Sequence, residues 1–187
     1  PDKLEQRLIL AKRIGKLPKI VVAVHLCGQS CDMERIFRLS KTYGFKIIED
    51  ASHAIGGRYS GSAIGSCKYS DITVFSFHPV KIVTTAEGGI ALTNDKHLCE
   101  KMMLFRTHGI TRDEQAMQGV PDGPWYYEQV DLGYNYRMTE LQAALGLSQM
   151  TRLEEFVTTR NRLATRYDDK LKKLPIILPF QSENTYS

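Results

Sequence analysis

No apolar run in the sequence approaches the roughly 18 residues that a membrane-crossing helix needs. The longest, Ile20 to Cys27, is interrupted by His25 and suits a buried strand. Cysteine is scarce: Cys27, Cys31, Cys67 and Cys99 form no dense framework, which points to a reducing compartment and a cytoplasmic location. His25, Cys27 and Cys31 are close in sequence, but neither a C-x-x-C nor a second ligand pair follows, so no metal site is expected. No signal peptide is visible. The first residue is Pro1 rather than Met, and a native N-terminal segment is expected to be missing. Charge of one sign is also limited, with 25 Lys and Arg against 21 Asp and Glu for a net +4. The densest basic stretches, Lys12, Arg13 and Lys16, and Lys170, Lys172 and Lys173, have no aromatic interleaving. They read as solvated helix faces, not a nucleic-acid surface, and stay compatible with a small anionic ligand. G-x-G-x-x-G, P-loop, repeat and low-complexity patterns are all absent.

What is present is ordinary for a globular chain. The 187 residues are 42% hydrophobic and 25% charged, enough for one sizeable core or slightly more. Residues 3–14 read as an amphipathic helix striped by Leu4, Leu8 and Ala11 and broken by Pro18. Lys19 to His25 is a β-branched run. After the Gly28-Gln29-Ser30 turn, Asp32 falls in the first turn of a helix carrying Met33, Ile36, Phe37 and Leu39, which stops at Gly44. Phe45 to Ile48 is a short strand with Glu49 and Asp50 at its end. This βαβ order predicts parallel strands.

Gly56 to Ser66 reads as a loop, Asp71 to Phe77 as a strand and Pro79 to Gly89 as a loop. Ile90 to Thr93 is a strand, and Asn94 or Asp95 caps a helix to about Phe105. Gly109 to Gln129 is turn-rich. Thr139 and Gln142 form a capping box for a helical pattern that runs, with a break, to about Leu174, and Pro175 to Phe180 is expected to begin a strand. The fold class is α/β, a mostly parallel sheet flanked by helices. Such sheets hold ligands at the carboxyl ends of their strands, where Asp50 and the segment Ser76 to Lys81 fall.

Lys81 sits in an uncharged stretch, Ser76-Phe77-His78-Pro79-Val80-Lys81-Ile82-Val83-Thr84-Thr85. It reads either as a snorkelling surface side chain or as a buried amine able to lose its proton and become a Schiff-base nucleophile. Asp50 reads either as a helix cap for residues 51–55 or as a carboxylate held under a ring nitrogen, where opposite charge keeps a pyridinium protonated. His53 would share a helical face with Asp50. The Ser76 hydroxyl can donate to a phosphate.

Ile48-Glu49-Asp50-Ala51-Ser52-His53-Ala54-Ile55-Gly56, Phe75-Ser76-Phe77-His78-Pro79-Val80-Lys81 and Thr84-Thr85-Ala86-Glu87-Gly88-Gly89 resemble three ordered motifs of the DegT/DnrJ/EryC1/StrS sugar aminotransferases. Gly133-Tyr134-Asn135-Tyr136-Arg137-Met138-Thr139 resembles a further family segment, and the similarity covers residues 17–170. The resemblance implies a fold type I, aspartate-aminotransferase-like large domain, here incomplete. Residues 1–138 would be part of that domain and 139–187 the long helix and start of a C-terminal small domain.

It also implies pyridoxal 5′-phosphate as cofactor, carried by Lys81. Asp50 would pair with the pyridinium nitrogen, His53 would sit beside the ring, Ser76 would bind the phosphate, and Asn135 would reach the partner subunit's cofactor in a homodimer. Many family members carry Gln at the position of His53. His53 together with the strings around Lys81 and Gly88 is similar to the pseudaminic-acid-pathway aminotransferases. This implies a UDP-linked, N-acetylated 4-keto-6-deoxy sugar as substrate and glutamate as amino donor. Arg106, His108, Trp125, Tyr126 and Tyr127 are the candidates for contacting that substrate, with loop packing as the alternative. Sugar-deoxygenating relatives replace the lysine with histidine, so Lys81 argues against that reaction. A non-catalytic ligand-binding or regulatory member, or a fragment inactive as it stands, is the remaining alternative.

Overall fold

A computed structural model describes residues 1–187. The first helix, α1 (Asp2–Arg13), places Asp2 and Glu5 in its first turn and Lys12 and Arg13 in its last, complementing the helix dipole. Strand β1 (Ile20–Val24) leads through a short 3-10 turn, Leu26–Gly28, into α2 (Met33–Tyr43). Asp32 caps α2 by accepting the Arg35 N–H at 3.2 Å, and Gly44 ends it at φ 77°, a left-handed conformation that favours glycine. Strand β2 (Lys46–Asp50) follows, then the two-residue strands β3 (Arg58–Tyr59) and β4 (Ser62–Ala63), then β5 (Ile72–Ser76) and β6 (Gly89–Leu92). Asp95 caps α3 (Lys96–Arg106), accepting from the amides of His97 and Leu98. Strands β7 (Ile110–Thr111) and β8 (Glu128–Gln129) pair inside the long loop beyond it. The capping box expected at Thr139 and Gln142 is present and opens α4 (Glu140–Met150). After a break at Thr151 and Arg152 comes α5 (Leu153–Leu171), and β9 (Thr185–Tyr186) lies near the chain end.

The main sheet runs β1-β2-β5-β6, with the first three strands parallel and β6 antiparallel to β5. Val24 lies opposite Asp50, Asp50 opposite Val74 and Ser76 opposite Gly89. The carboxyl ends of β1, β2 and β5 therefore share one edge.

One face of the sheet turns Ala23 and Ile47 toward α1 and α2, where they pack with Leu8, Met33, Ile36 and Leu39. Each fully buried aliphatic side chain contributes about 1.5–3 kcal/mol. On the opposite face Ile20, Val22 and Val24 are about half exposed, at 52%, 55% and 48%. A second cluster of Ala51, Ala54, Ile64, Phe75, Phe77 and Val83 lies under the loops at the carboxyl edge.

Three local expectations are corrected. Residues 51–57 form turns, because Asp50 binds Ser52 locally instead of capping a helix, so His53 does not share a helical face with it. The segment 56–66 holds the β3–β4 hairpin. Residues 175–180 form no strand; the late strand is β9, which adds to β3 with Arg58 opposite Tyr186. No helix is long and apolar enough to cross a membrane.

Candidate active site

The site is built on the carboxyl edge of the sheet. At the end of β2, Asp50 Oδ1 accepts the Ser52 amide N–H at 3.1 Å and the Ser52 hydroxyl at 2.5 Å. The Ser52 hydroxyl does most to hold the Asp50 carboxyl below its ordinary value. Partial burial opposes it, while the Ser52 amide and the charges of His53 and Lys81 assist. The anion is thus fixed before any ligand arrives, with Oδ2 unengaged.

At the end of β5, Ser76 Oγ accepts the His78 N–H at 3.4 Å, which leaves its own proton to donate. The loop that follows is drawn closed at its base. Phe77 N–H donates to Gly88 O at 2.8 Å, and Phe77 O accepts from Thr85 N–H at 3.0 Å and from the Thr84 hydroxyl at 3.1 Å. Lys81 N–H closes a tighter turn onto His78 O at 3.0 Å. The Lys81 side chain is half-buried and joins no ion pair.

Exposed His53 accepts the Cys27 backbone N–H at Nδ1, 3.3 Å away, so its neutral ring carries the proton on Nε2. His53 and Lys81 both line a cavity of about 750 Å³. Its other walls are the turn at residues 26–29, the α5 side chains Arg160, Asn161 and Tyr167, and the chain around Phe180. Gln29 ties that late segment in place, donating to Phe180 O at 3.2 Å and accepting Ser182 N–H at 2.6 Å.

The other expected residues lie elsewhere. Exposed Asn135 bridges Thr107 at the C-terminal end of α3. Arg106 is exposed and contributes its carbonyl to Tyr136 N–H at 3.0 Å. His108, at φ 58°, donates its N–H to Tyr134 O. Trp125 is 67% exposed, Tyr126 donates its hydroxyl to Glu128 at 2.7 Å, and Tyr127 lies 6.0 Å from the Arg112 guanidinium. None of these six lines the cavity at Lys81.

Sequence reasoning missed His25 and Glu49. His25 Nε2 lies 2.7 Å from Glu49 Oε2, with both residues buried. The signal was a titratable residue inside each of two apolar strand patterns, since a buried charge requires a partner. Gln29 and the α5 residues were missed because nothing local marks them.

A carboxylate and an unpaired amine at one edge of a parallel sheet, beside a hydroxyl free to donate, form a site suited to a phosphorylated, cationic-ring aldehyde. Asp50 supplies an anion, Lys81 an amine free of any ion pair and Ser76 a hydroxyl able to donate. These features define the class of pyridoxal-phosphate enzymes with a sheet-edge lysine. The chain belongs to the DegT/DnrJ/EryC1/StrS aminotransferase family, whose sequence pattern matches residues 4–186.

It is 38% identical over 171 residues to a UDP-4-amino-4,6-dideoxy-N-acetyl-beta-L-altrosamine transaminase of Campylobacter jejuni, covering 91% of this chain and 42% of that protein. Helicobacter pylori PseC, an aminotransferase involved in the biosynthesis of pseudoaminic acid, superposes with a TM-score of 0.77 at 36% identity, over 89% of this chain and 42% of that one. The PLP form of the putative sugar aminotransferase Spr1654 from Streptococcus pneumoniae gives a TM-score of 0.77 at 30% identity, over 92% and 46%. The chain therefore spans less than half the length of these relatives. Pyridoxal phosphate is the cofactor of the family.

Proposed function

We propose that the full-length protein containing this chain transfers an amino group from glutamate to the keto carbon of a nucleotide-linked 4-keto-6-deoxy sugar, UDP-linked and N-acetylated. The observation that carries the reading is the placement of Asp50 at the end of β2 and of Lys81 in the loop that follows the neighbouring β5, where Lys81 and His53, though not Asp50, line a cavity of about 750 Å³. The named C. jejuni and H. pylori relatives support the substrate class. Residues 1–138 would be part of a cofactor-binding large domain, and 139–187 the long helix and start of a small domain.

Pyridoxal phosphate supplies an electron sink that stabilises negative charge at the carbon exchanging its amino group. Asp50 would keep the ring cation charged, and Ser76 would hold the phosphate. His53, with its Nε2–H directed away from Cys27, would donate to the cofactor beside its ring. Lys81 would hold the cofactor, and its amine, when free, would take up and return a proton at the reacting carbon as general acid and base. A homodimer would add Asn135 from the partner to each site.

The test follows cofactor absorbance in the full-length protein. Glutamate should convert it, and a 4-keto sugar nucleotide should restore it, with UDP-, dTDP- and GDP-linked sugars compared. Lys81→Ala and Lys81→Arg should both lose turnover, since a guanidinium stays charged and cannot attack a carbonyl. Near-native turnover by either variant, or no spectral response to any amino donor, would refute the assignment.

A further inference from the structure

His25 and Glu49 are absent from the chemistry above, yet they are among the most completely enclosed polar residues in the chain, at 0% and 5% exposure. Glu49 Oε2 accepts from His25 Nε2–H at 2.7 Å. Its Oε1 accepts the hydroxyls of Ser70 and, at 3.1 Å, Thr73. His25 is engaged on every polar atom. Its N–H donates to Asp50 O at 3.0 Å, its O accepts Gly28 N–H at 3.1 Å, and Nδ1 accepts Cys31 N–H at 3.2 Å.

Two influences on the ring pull apart. Burial favours the neutral ring, yet the contacts with Cys31 and Glu49 outweigh it and raise its pKa to about 9; against that stands the hydrogen-bond geometry at Nδ1. The Cys31 amide is a donor fixed by the backbone and needs an unprotonated Nδ1. The neutral ring with its proton on Nε2 is therefore the form that satisfies both neighbours.

The turn at residues 26–31 is laced to His25 at two points, Gly28 and Cys31. Between them Cys27 is held at φ 58°, a conformation disfavoured for a residue with a Cβ. Its N–H points at His53 Nδ1, 3.3 Å away. Strain held in place by surrounding contacts is characteristic of sites where geometry serves a purpose. Packing alone does not call for a buried polar pair here, because apolar side chains of similar volume fill a core at least as well. No group of His, Cys, Asp and Glu is arranged to hold a metal.

We propose that His25 and Glu49 are positioning residues for His53. The buried pair holds the turn at residues 26–31 against the end of β2, and through the Cys27 amide it locks His53 with its proton on Nε2. The lock belongs to the chain itself. Its catalytic consequence rests on the reading of His53 given under Proposed function.

The test uses the full-length protein labelled with ¹⁵N-histidine, with His53 assigned by the signals lost in His53→Gln. Wild type should show an acceptor-type Nδ1 and a protonated Nε2 at neutral pH. His25→Gln keeps a donor toward Glu49 and an acceptor for the Cys31 amide. It should preserve the His53 signature and keep kcat within about threefold. His25→Phe fills the space without hydrogen bonds. It should mix the two His53 tautomers and lower kcat about 10–100-fold at nearly constant KM, the range seen for groups that act through another ligand. A folded His25→Phe protein with an unchanged His53 signature overturns the proposal. If that variant does not fold, wild type and His25→Gln decide, and a His53 protonated on Nδ1 in either one overturns it. A protein with no transaminase activity at all would refute the functional reading and leave the tautomer measurement standing.

Discussion

Asp50 Oδ1 accepts both the amide and the hydroxyl of Ser52, so one carboxylate oxygen is committed to the backbone turn and the other is free at the sheet edge. Asp50→Asn keeps an acceptor for Ser52 and should fold. In the full-length protein it should lose about 10²–10³-fold in kcat for the glutamate half-reaction, the scale of other preorganised electrostatic contacts. Ser52→Ala should instead cost about 1 kcal/mol of stability, read by urea unfolding, and a smaller part of the rate. An Asp50→Asn protein with unchanged single-turnover kinetics would reduce Asp50 to a turn residue.

A second prediction compares two left-handed glycines, one crowded and one open. A Cβ on Gly109 would lie 1.8 Å from Asp131 O, and Gly109 has φ 68°. Gly44 has φ 77°, but a Cβ there meets nothing within 4 Å. Gly44→Ala should therefore cost only the left-handed strain, about 1 kcal/mol. Gly109→Ala adds overlap with fixed backbone and should cost about 3 kcal/mol. Equal urea midpoints for the two variants would show that the segment around Asp131 yields freely.

The third concerns pH. Lys46 Nζ lies 2.9 Å from Asp71 Oδ1, and Asp71 Oδ2 accepts Ile47 N–H at 2.8 Å. Burial opposes the Asp71 charge, but Lys46 and the Ile47 amide outweigh it and hold the carboxyl below its ordinary value, while Asp71 raises Lys46. A depressed carboxyl contributes stability above its unfolded pKa, about 4, and loses it as pH falls through the folded value. A raised amine contributes below about 10.4 and loses it as pH rises beyond. Lys46 is largely exposed, so the pair is worth at most about 1 kcal/mol. The contribution of this pair should be constant between these limits, and Asp71→Asn should remove it and weaken the acid limb. An unaltered acid limb would assign it to other carboxyls.

The fourth concerns assembly. Tyr134 and Tyr136 stack at 5.0 Å between ring centroids, and both they and Asn135 are exposed. If sites are shared, mixing full-length Lys81→Ala with Asn135→Ala should restore activity to one site per heterodimer, about a quarter of wild type for random exchange between equal amounts, because a two-fold contact is isologous. Full activity and normal cofactor affinity in Asn135→Ala alone would remove the cross-subunit role.

The long elements were legible in the sequence because their periodicity and caps are local. Asp32, Gly44, Asp95 and the Thr139–Gln142 box each marked a helix boundary that the structure keeps. The β3–β4 pair was hidden in a glycine- and serine-rich stretch, since two-residue strands carry no period. β9 was hidden because its existence depends on β3, more than a hundred residues earlier. Asp50 and Lys81 were legible as strand-end residues. The cavity wall from α5 was not, because which face of an exposed helix meets a distant loop is a tertiary fact. Arg106, Trp125 and Tyr127 were plausible by residue type alone, and the fold carries them to a different region of the chain.

The base of the Lys81 loop has a mechanical corollary. With Phe77 bonded to Gly88, Thr84 and Thr85, the segment between is a ring closed at its neck, and the entropy of closing it is spent when the protein folds. In the proposed reaction the amine would work like the jib of a crane on a bolted mast: its travel would come from side-chain rotation, while the mast would hold its bearing from one turnover to the next.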